Sequence, residues 1–211
     1  MPFQYDPLLK GSGYRDTDTG RLISRASVGE QINVMISVSS NVTLVLAEMV
    51  TGGTIDPQSW YTAMREEIKS NYISQYLVGI GGRGQMTQAD WGSVGGMIAD
   101  QYRYLDGFRD EIEAGTLSLE QINFRSGMYI NSSREGYERA RFRTARGRGF
   151  TQYWWLNDPG AATCEDCIFL DGLGWVPIDE ELVSPSTGKG TLPGMGDTIC
   201  LTNCHCEIQY R

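Results

Sequence analysis

All five cysteines of this 211-residue chain lie in its last quarter, and this clustering constrains the fold more than any other feature. They are Cys164, Cys167, Cys200, Cys204 and Cys206. An odd number of close cysteines is a poor match to a secreted disulfide framework, and the first residues lack the basic and apolar layout of a signal peptide. We therefore expect a metal site in a protein of a reducing cytoplasm.

The cysteine spacing is typical of a structural zinc site. A C-x2-C pair at Cys164 and Cys167 is followed, 32 residues later, by C-x3-C-x-C. Two thiolates in a tight knuckle can hold one metal ion while a distant pair completes a tetrahedron. We expect Cys164 and Cys167 as first ligands and Cys200 and Cys204 as the closing pair, with Cys206 able to replace either. Iron is the minor alternative.

Two other interpretations of the cysteines stay open. One is a redox dithiol, although the acidic Glu165 and Asp166 between the first two cysteines raise the cost of a thiolate. The other is a set of ordinary cysteines without metal. His205 is the only histidine and lies between two cysteines, and no P-loop or nucleophile-elbow motif occurs. We therefore expect no enzymatic activity.

Hydrophobic periodicity predicts a mainly α protein, with a helical N-terminal domain followed by a small loop- and β-rich module that carries the cysteines. We place an irregular segment at 1–25, the helical domain at 26–150 and the cysteine-rich module at 151–211. Segment 26–50 fits a helix better than a hairpin, and 152–156 is typical of a strand. Three N-cap signals support the helices: Asp56 before Pro57, Thr87 with Asp90, and Ser118 with Gln121.

Two further expectations concern the helical domain. The helix that begins after Ser118 should run without a break through Tyr137 and end near Gly147. The glycine-rich stretch 79–84 has glycines that could cradle a phosphate, but it lacks a strand-to-helix context, so a flexible connector is the better interpretation.

Charge is distributed unevenly along the chain. The net charge is −8, of which residues 150–211 contribute −7, from nine acids and two bases. This balance argues against a dedicated nucleic-acid binder. An arginine stripe nevertheless precedes the acidic module, and it is either a solvated helix face or a docking surface for an acidic partner or packaged DNA. Its members are Arg134, Arg139, Arg141, Arg143, Arg146 and Arg148.

Membrane and small-molecule partners are not expected. No uninterrupted apolar run approaches the roughly 18 residues that a membrane span needs. The aromatic and methionine residues at helical spacing are best explained as core, and none forms a cofactor-binding motif. We expect a soluble protein without an export signal.

Four segments together resemble a known family. They are 87–92 (TQADWG), 101–105 (QYRYL), 164–167 (CEDC) and 194–206 (GMGDTICLTNCHC). Through these segments, the chain from about residue 22 onward resembles the tailed-phage minor head proteins of the phage Mu-type head-morphogenesis family. The family hallmark is D-x-x-x-C-x2-C followed by H-P-x-C-R-C. Here Asp158 lies further from Cys164, and Cys200 stands one position beyond the place of the family histidine.

The resemblance implies a structural minor head protein of a tailed bacteriophage. Such a protein is a virion component, assembled in the bacterial cytoplasm and associated with the portal protein, the major capsid protein or the capsid interior. It acts in head morphogenesis or genome packaging without catalysis of its own, and packaged DNA is a further candidate partner. Two alternatives from other classes are a zinc-containing nucleic-acid-binding adaptor and, less favoured, a dithiol oxidoreductase.

Overall fold

A computed structural model describes residues 3–5, 14–16, 19, 21–158 and 163–211. Its architecture confirms the predicted fold class, because long helices precede a small antiparallel sheet. The helices are α1 (Arg25–Thr51), α2 (Pro57–Ile80), α3 (Gln88–Glu113), α4 (Leu119–Asn131), α5 (Arg134–Gly147) and α6 (Glu165–Gly172). The strands are β1 (Phe3–Tyr5), β2 (Tyr14–Asp16), β3 (Gln152–Leu156), β4 (Val176–Pro177) and β5 (Glu207–Tyr210).

The three predicted N-caps are confirmed. Asp56 accepts a hydrogen bond from the amide of Ser59, and Pro57 occupies the first position of α2. Thr87 with Asp90 and Ser118 with Gln121 form reciprocal capping boxes at the starts of α3 and α4. Each box satisfies two backbone donors that a helix start leaves without partners, which explains why these boundaries could be located in the sequence.

The ambiguous segment 26–50 is helical, as expected, and forms most of α1. Its inner face is buried, but an outer stripe of Val34, Val38, Val42 and Val45 remains between 38% and 59% exposed. Their spacing of four, four and three residues places these side chains on one side of the helix. By length and hydropathy, Ser27–Thr51 could cross a membrane, a criterion that core helices of water-soluble proteins also meet.

The helix expected to continue from Ser118 to Gly147 is interrupted, so that prediction is wrong. It divides into α4 and α5 at Ser132 and Ser133. Both hydroxyls donate to carbonyls three residues earlier, at 2.8 Å to Tyr129 and 2.6 Å to Ile130. Serine side chains compete with the backbone for such carbonyls, and here they accompany the break between α4 and α5.

The glycine-rich stretch begins inside α2 and continues into the connection between α2 and α3. Gly79 lies in the last turn of α2, where a Cβ atom would stand 2.4 Å from the carbonyl oxygen of Tyr137 and 2.7 Å from the Cβ of Ala140 in α5. Gly81 then ends α2 in the left-handed conformation, with φ of 95°. The glycines therefore allow a close helix crossing and a helix stop.

The N-terminal strands lie where we expected irregular structure. β1 and β2 pair as an antiparallel ribbon, with Gln4 opposite Arg15. The Tyr14 hydroxyl donates to the carbonyl of Val78 near the end of α2. Tyr14 also belongs to a small apolar cluster with Val28 and Tyr137, and this cluster anchors the ribbon on the helices.

Two larger cores lie on either side of the boundary that we placed near residue 150. The helical core contains Trp60, Tyr72, Leu105 and Phe108. The second core is centred on the sheet of order β4-β3-β5, in which β3 pairs antiparallel with both neighbours. It consists of Tyr153, Trp155, Cys167, Leu170, Leu182, Cys204, Cys206 and Ile208. Three of the five cysteines are therefore core residues of the small module.

Candidate metal centre

The fold brings all five cysteines together. Cys164 is the N-cap residue of α6 and Cys167 lies in its first turn. Cys200 precedes the 3-10 turn Leu201–Asn203, and Cys204 follows it. Cys206 immediately precedes β5, whose pairing with β3 carries the distant segment back to α6. The predicted juxtaposition of the two halves of the motif is confirmed, and the cluster could hold a metal ion.

The sulfur separations fit metal coordination. The Sγ atom of Cys167 lies 3.7 Å from that of Cys200 and 3.8 Å from that of Cys204. A tetrahedral ion with metal–sulfur bonds of about 2.3 Å places its sulfurs about 3.8 Å apart. No disulfide joins any of the five cysteines. The donors are soft thiolates, which suit zinc and related ions.

The helix that carries the first cysteine pair was not predicted from the sequence. Cys164 and Cys167 lie at the N-terminus of α6, where the helix dipole favours a thiolate. The sulfurs also interact with one another. Hydrogen bonding with Cys167 and then Cys204 lowers the pKa of both Cys200 and Cys206, whereas the same contacts raise the pKa of Cys167. The shared sulfur hydrogen bonds therefore favour ionisation of some cysteines of the cluster at the expense of others.

Asp166 has a different role from the one expected. Its side chain is only 3% exposed, and its carboxylate accepts hydrogen bonds from the hydroxyl of Ser184 and from the amides of Ser186 and Ile199, at 3.0, 3.2 and 3.0 Å. The Ser186 hydroxyl also donates to it. These bonds outweigh burial and hold the pKa of Asp166 below its ordinary value. Asp166 ties α6 to the loop that presents Cys200.

Two oxygen atoms flank the sulfur cluster. Thr198 Oγ1 lies 3.2 Å from the sulfur of Cys200, and the Cys206 thiol donates to Asn157 Oδ1 at 3.7 Å. His205 points away: it is exposed, while Cys204 and Cys206 on either side of it are buried. The expected alternation of side chains around His205 is therefore present, although β5 begins only at Glu207.

The loop between Cys200 and Cys204 is conformationally strained. Leu201 has φ of 52°, a left-handed conformation that no other non-glycine residue adopts in the described part of the chain. This conformation costs an L-residue roughly 1–2 kcal/mol. The turn reverses the chain so that Cys200 and Cys204 both face Cys167, and this strain is a cost of assembling the cluster.

The arginine stripe is engaged largely within the protein. Arg139 pairs with Glu135 at 2.6 Å and Arg143 with Asp90 at 2.6 Å. Arg134 is buried and donates to the carbonyl of Cys206 at 3.4 Å. Arg146 and Arg148 are exposed. The stripe is therefore neither a fully solvated face nor a continuous basic surface.

Arg141 joins the helical domain to the cysteine module. It pairs with the fully buried Glu138 at 3.2 Å and donates to the carbonyl of Ile208 in β5 at 2.9 Å. Burial alone would lower the pKa of Arg141, but the nearby Tyr137 and Glu138 raise it above its ordinary value. A buried pair of this kind is strongly destabilising when one partner is removed, because the other charge is left without compensation.

Comparisons with protein-family models, with curated proteins and with solved structures find no match for this chain. The geometry of the cysteine cluster and the resemblance of its motifs are therefore the two grounds for a functional proposal. The geometry concerns the chemistry of the site, and the resemblance concerns the biological role.

Proposed function

We propose that the protein is a non-catalytic structural component of a tailed-phage head whose C-terminal module is held together by zinc. The single observation that carries the metal proposal is the set of sulfur separations, which match the edge of a zinc–thiolate tetrahedron. A small core in which three of eight buried residues are cysteines gains much of its folding free energy from metal binding.

The role in the phage head is supported by the motif resemblance at 87–92, 101–105, 164–167 and 194–206. Three of these segments have clear structural roles. Asp90 of the first caps α3 and binds Arg143, and the last two contain all five cysteines. With three of its five cysteines buried, the cluster is better suited to holding the fold together than to turnover of a substrate.

The outer stripe of α1 is the surface that we expect a head subunit to contact. Val34, Val38, Val42 and Val45 are exposed on one side of a helix of 27 residues. Contiguous exposed apolar surface marks protein contacts in soluble proteins. The arginine stripe is less suited to this role, because Arg134, Arg139, Arg141 and Arg143 already have partners within the chain.

The metal proposal is tested by elemental analysis of the full chain, purified without chelator or affinity metal. We expect bound zinc in the wild type and weaker binding with partial loss of structure in Cys164→Ser. His205→Asn is the matched control, because it changes an exposed residue within the same motif, and it should retain zinc. Protein that contains no zinc and keeps five reactive thiols with its native circular dichroism spectrum would contradict the proposal.

The assembly proposal is tested in the phage that encodes this chain. We expect the wild-type protein in purified heads, and less of it when Val38 and Val45 are both replaced by Glu. The control is Asn33→Glu, which adds charge to an exposed position on another side of α1. Equal incorporation of the double variant would remove the stripe as the contact surface, and absence of the wild type from heads would contradict the role itself. Binding of the isolated protein to lipid vesicles would instead assign the stripe to a membrane surface.

The nucleic-acid alternative makes a separate prediction. A DNA-binding adaptor should bind duplex DNA with an affinity that falls steeply as salt rises. Arg134, Arg139, Arg141 and Arg143 are already engaged within the chain, so we expect weak binding with a shallow salt dependence. A steep dependence would favour the adaptor over the structural role.

A further inference from the structure

The chain has one cysteine more than a tetrahedral zinc site needs. All five sulfurs belong to the cluster, but they do not form one compact group of four. Within the described residues, the groups in which every pair of sulfurs lies within 4.8 Å have three members each. One group is Cys164, Cys167 and Cys200, and the other is Cys167, Cys204 and Cys206.

Cys167 is the member that the two groups share. It is almost fully buried, at 1% exposure, and its sulfur lies 3.7 Å from Cys200 in one group and 3.8 Å from Cys204 in the other. Both separations match the sulfur–sulfur edge of a zinc–thiolate site. The arrangement is therefore two three-sulfur faces with a common corner, whereas a single site would need four sulfurs that are all neighbours.

Each group also has an oxygen atom beside it. Thr198 Oγ1 lies 3.2 Å from Cys200 in the first group, and Asn157 Oδ1 lies 3.7 Å from Cys206 in the second. Zinc bound by three protein ligands commonly completes its tetrahedron with an oxygen donor or water. Each half of the cluster thus contains three sulfurs, and water or the neighbouring oxygen can take the fourth position on its ion.

Charge supports two ions over one. Five thiolates with two zinc ions leave a single negative charge, whereas four thiolates with one zinc ion leave two negative charges and an unused thiol. Three of the five cysteines are buried, and uncompensated charge is costly in such surroundings. A second ion therefore uses the fifth sulfur and reduces the charge that the module must bury.

We propose that the module binds two zinc ions, bridged by the thiolate of Cys167. Cys164 and Cys200 complete the sulfur set of one ion, and Cys204 and Cys206 that of the other. This inference rests on the proposed zinc-held module and extends it from one ion to two. It explains why the chain carries C-x3-C-x-C, where a single closing pair would complete one tetrahedron.

The test is native mass spectrometry of the full chain, reduced and metal-free, titrated with zinc alone. We expect two ions per wild-type chain. Cys206→Ser and Cys164→Ser should each bind one ion, because each variant leaves one of the two three-sulfur groups intact. His205→Asn is the control and should still bind two. Should Cys167→Ser fold, it should bind neither ion tightly.

The number of zinc ions bound per chain distinguishes a failure of the bridged pair from a failure of the zinc-held module. One zinc ion in the wild type, unchanged in Cys206→Ser, would refute the bridged pair and leave the single-zinc module intact. No bound zinc would refute both. Substitution with cadmium-113 gives a second readout that does not depend on the variants: two resonances are expected for the bridged pair, and one resonance would overturn it.

Discussion

Replacing Asp166 by Asn tests whether its carboxylate positions the cysteines or opposes their ionisation. The change removes the charge but preserves the shape of the side chain. Three donors converge on Oδ2 and one on Oδ1, so the best orientation of the amide keeps its oxygen at Oδ2. The new NH2 group then faces the amide N–H of Ser186, and one hydrogen bond becomes a contact between two donors.

The expected cost follows from these contacts. A buried donor left without an acceptor costs about 1–3 kcal/mol. The three remaining bonds also weaken, because hydrogen bonds to an ionised acceptor are roughly twice as strong as neutral ones. We expect the free energy of unfolding, measured with zinc present, to fall by about 2–4 kcal/mol. Substitution of residues that orient metal ligands typically lowers metal affinity by about 10–100-fold, so we expect zinc affinity to fall within that range.

The assay is competition for zinc against a chromophoric chelator, with circular dichroism as a check on folding. Glu165→Gln is the matched control, because it neutralises an exposed carboxylate in the same first turn of α6. It should change zinc affinity by no more than about threefold, as is usual for exposed charges. The alternative view, in which both acids oppose thiolate formation, predicts tighter binding in both variants. Binding of Asp166→Asn as tight as the wild type would therefore refute the positioning role.

Three further predictions concern the helical domain and are all measured by urea or thermal unfolding with zinc present. Gly79→Ala should destabilise the protein by about 1–3 kcal/mol because its Cβ would overlap α5. Gly107→Ala, at a helical position with open space around it, should stabilise the protein by about 0.5–1 kcal/mol. If both glycine variants change the free energy of unfolding in the same direction, this reasoning is contradicted. Ser118→Ala should cost about 1 kcal/mol through loss of the α4 capping box, and no change would mean that the box adds nothing in this context. Asp90→Asn should cost about 2–4 kcal/mol at neutral pH, because hydrogen bonds from Thr87, Tyr76 and Arg143 outweigh burial and lower the pKa of Asp90. The stabilisation by the ionised carboxylate is complete above about pH 4 and is lost as the pH falls through the lowered pKa, so the cost of the substitution should shrink in acid. A cost that does not change with pH would show that Asp90 acts through packing alone.

Local chemistry explains what could be predicted from the sequence. The caps at Asp56, Thr87 and Ser118 depend on residues three positions away, so their pattern is visible in a short window. Strand β3 is flanked by turn residues and alternates in burial. The mainly α fold, its change of character near residue 150 and the meeting of the five cysteines all follow from such patterns.

The duties of charged residues could not be predicted in this way. Arg143 donates to the carboxylate of Asp90, and Arg141 donates to the carbonyl of Ile208. These partners are 53 and 67 positions away in the chain. Periodicity places the arginines on a helix but says nothing of what packs against it. Asp166 is similar, because its acceptor role depends on Ser184, Ser186 and Ile199, which the tertiary fold brings to it.

The sequence by itself determined the local features of the protein. These are five cysteines with spacing suited to a metal ion, helices that begin at N-cap motifs, and a short strand after a glycine-containing break. Only the tertiary structure decided how they meet. The pairing of β5 with β3 and the left-handed turn at Leu201 divide the sulfurs into two groups around Cys167. The close crossing at Gly79 brings α5 against α2, and Arg141 on α5 reaches the strand beside the cluster. These outcomes depend on distances between segments far apart in the chain, which hydrophobic periodicity and motif spacing do not encode.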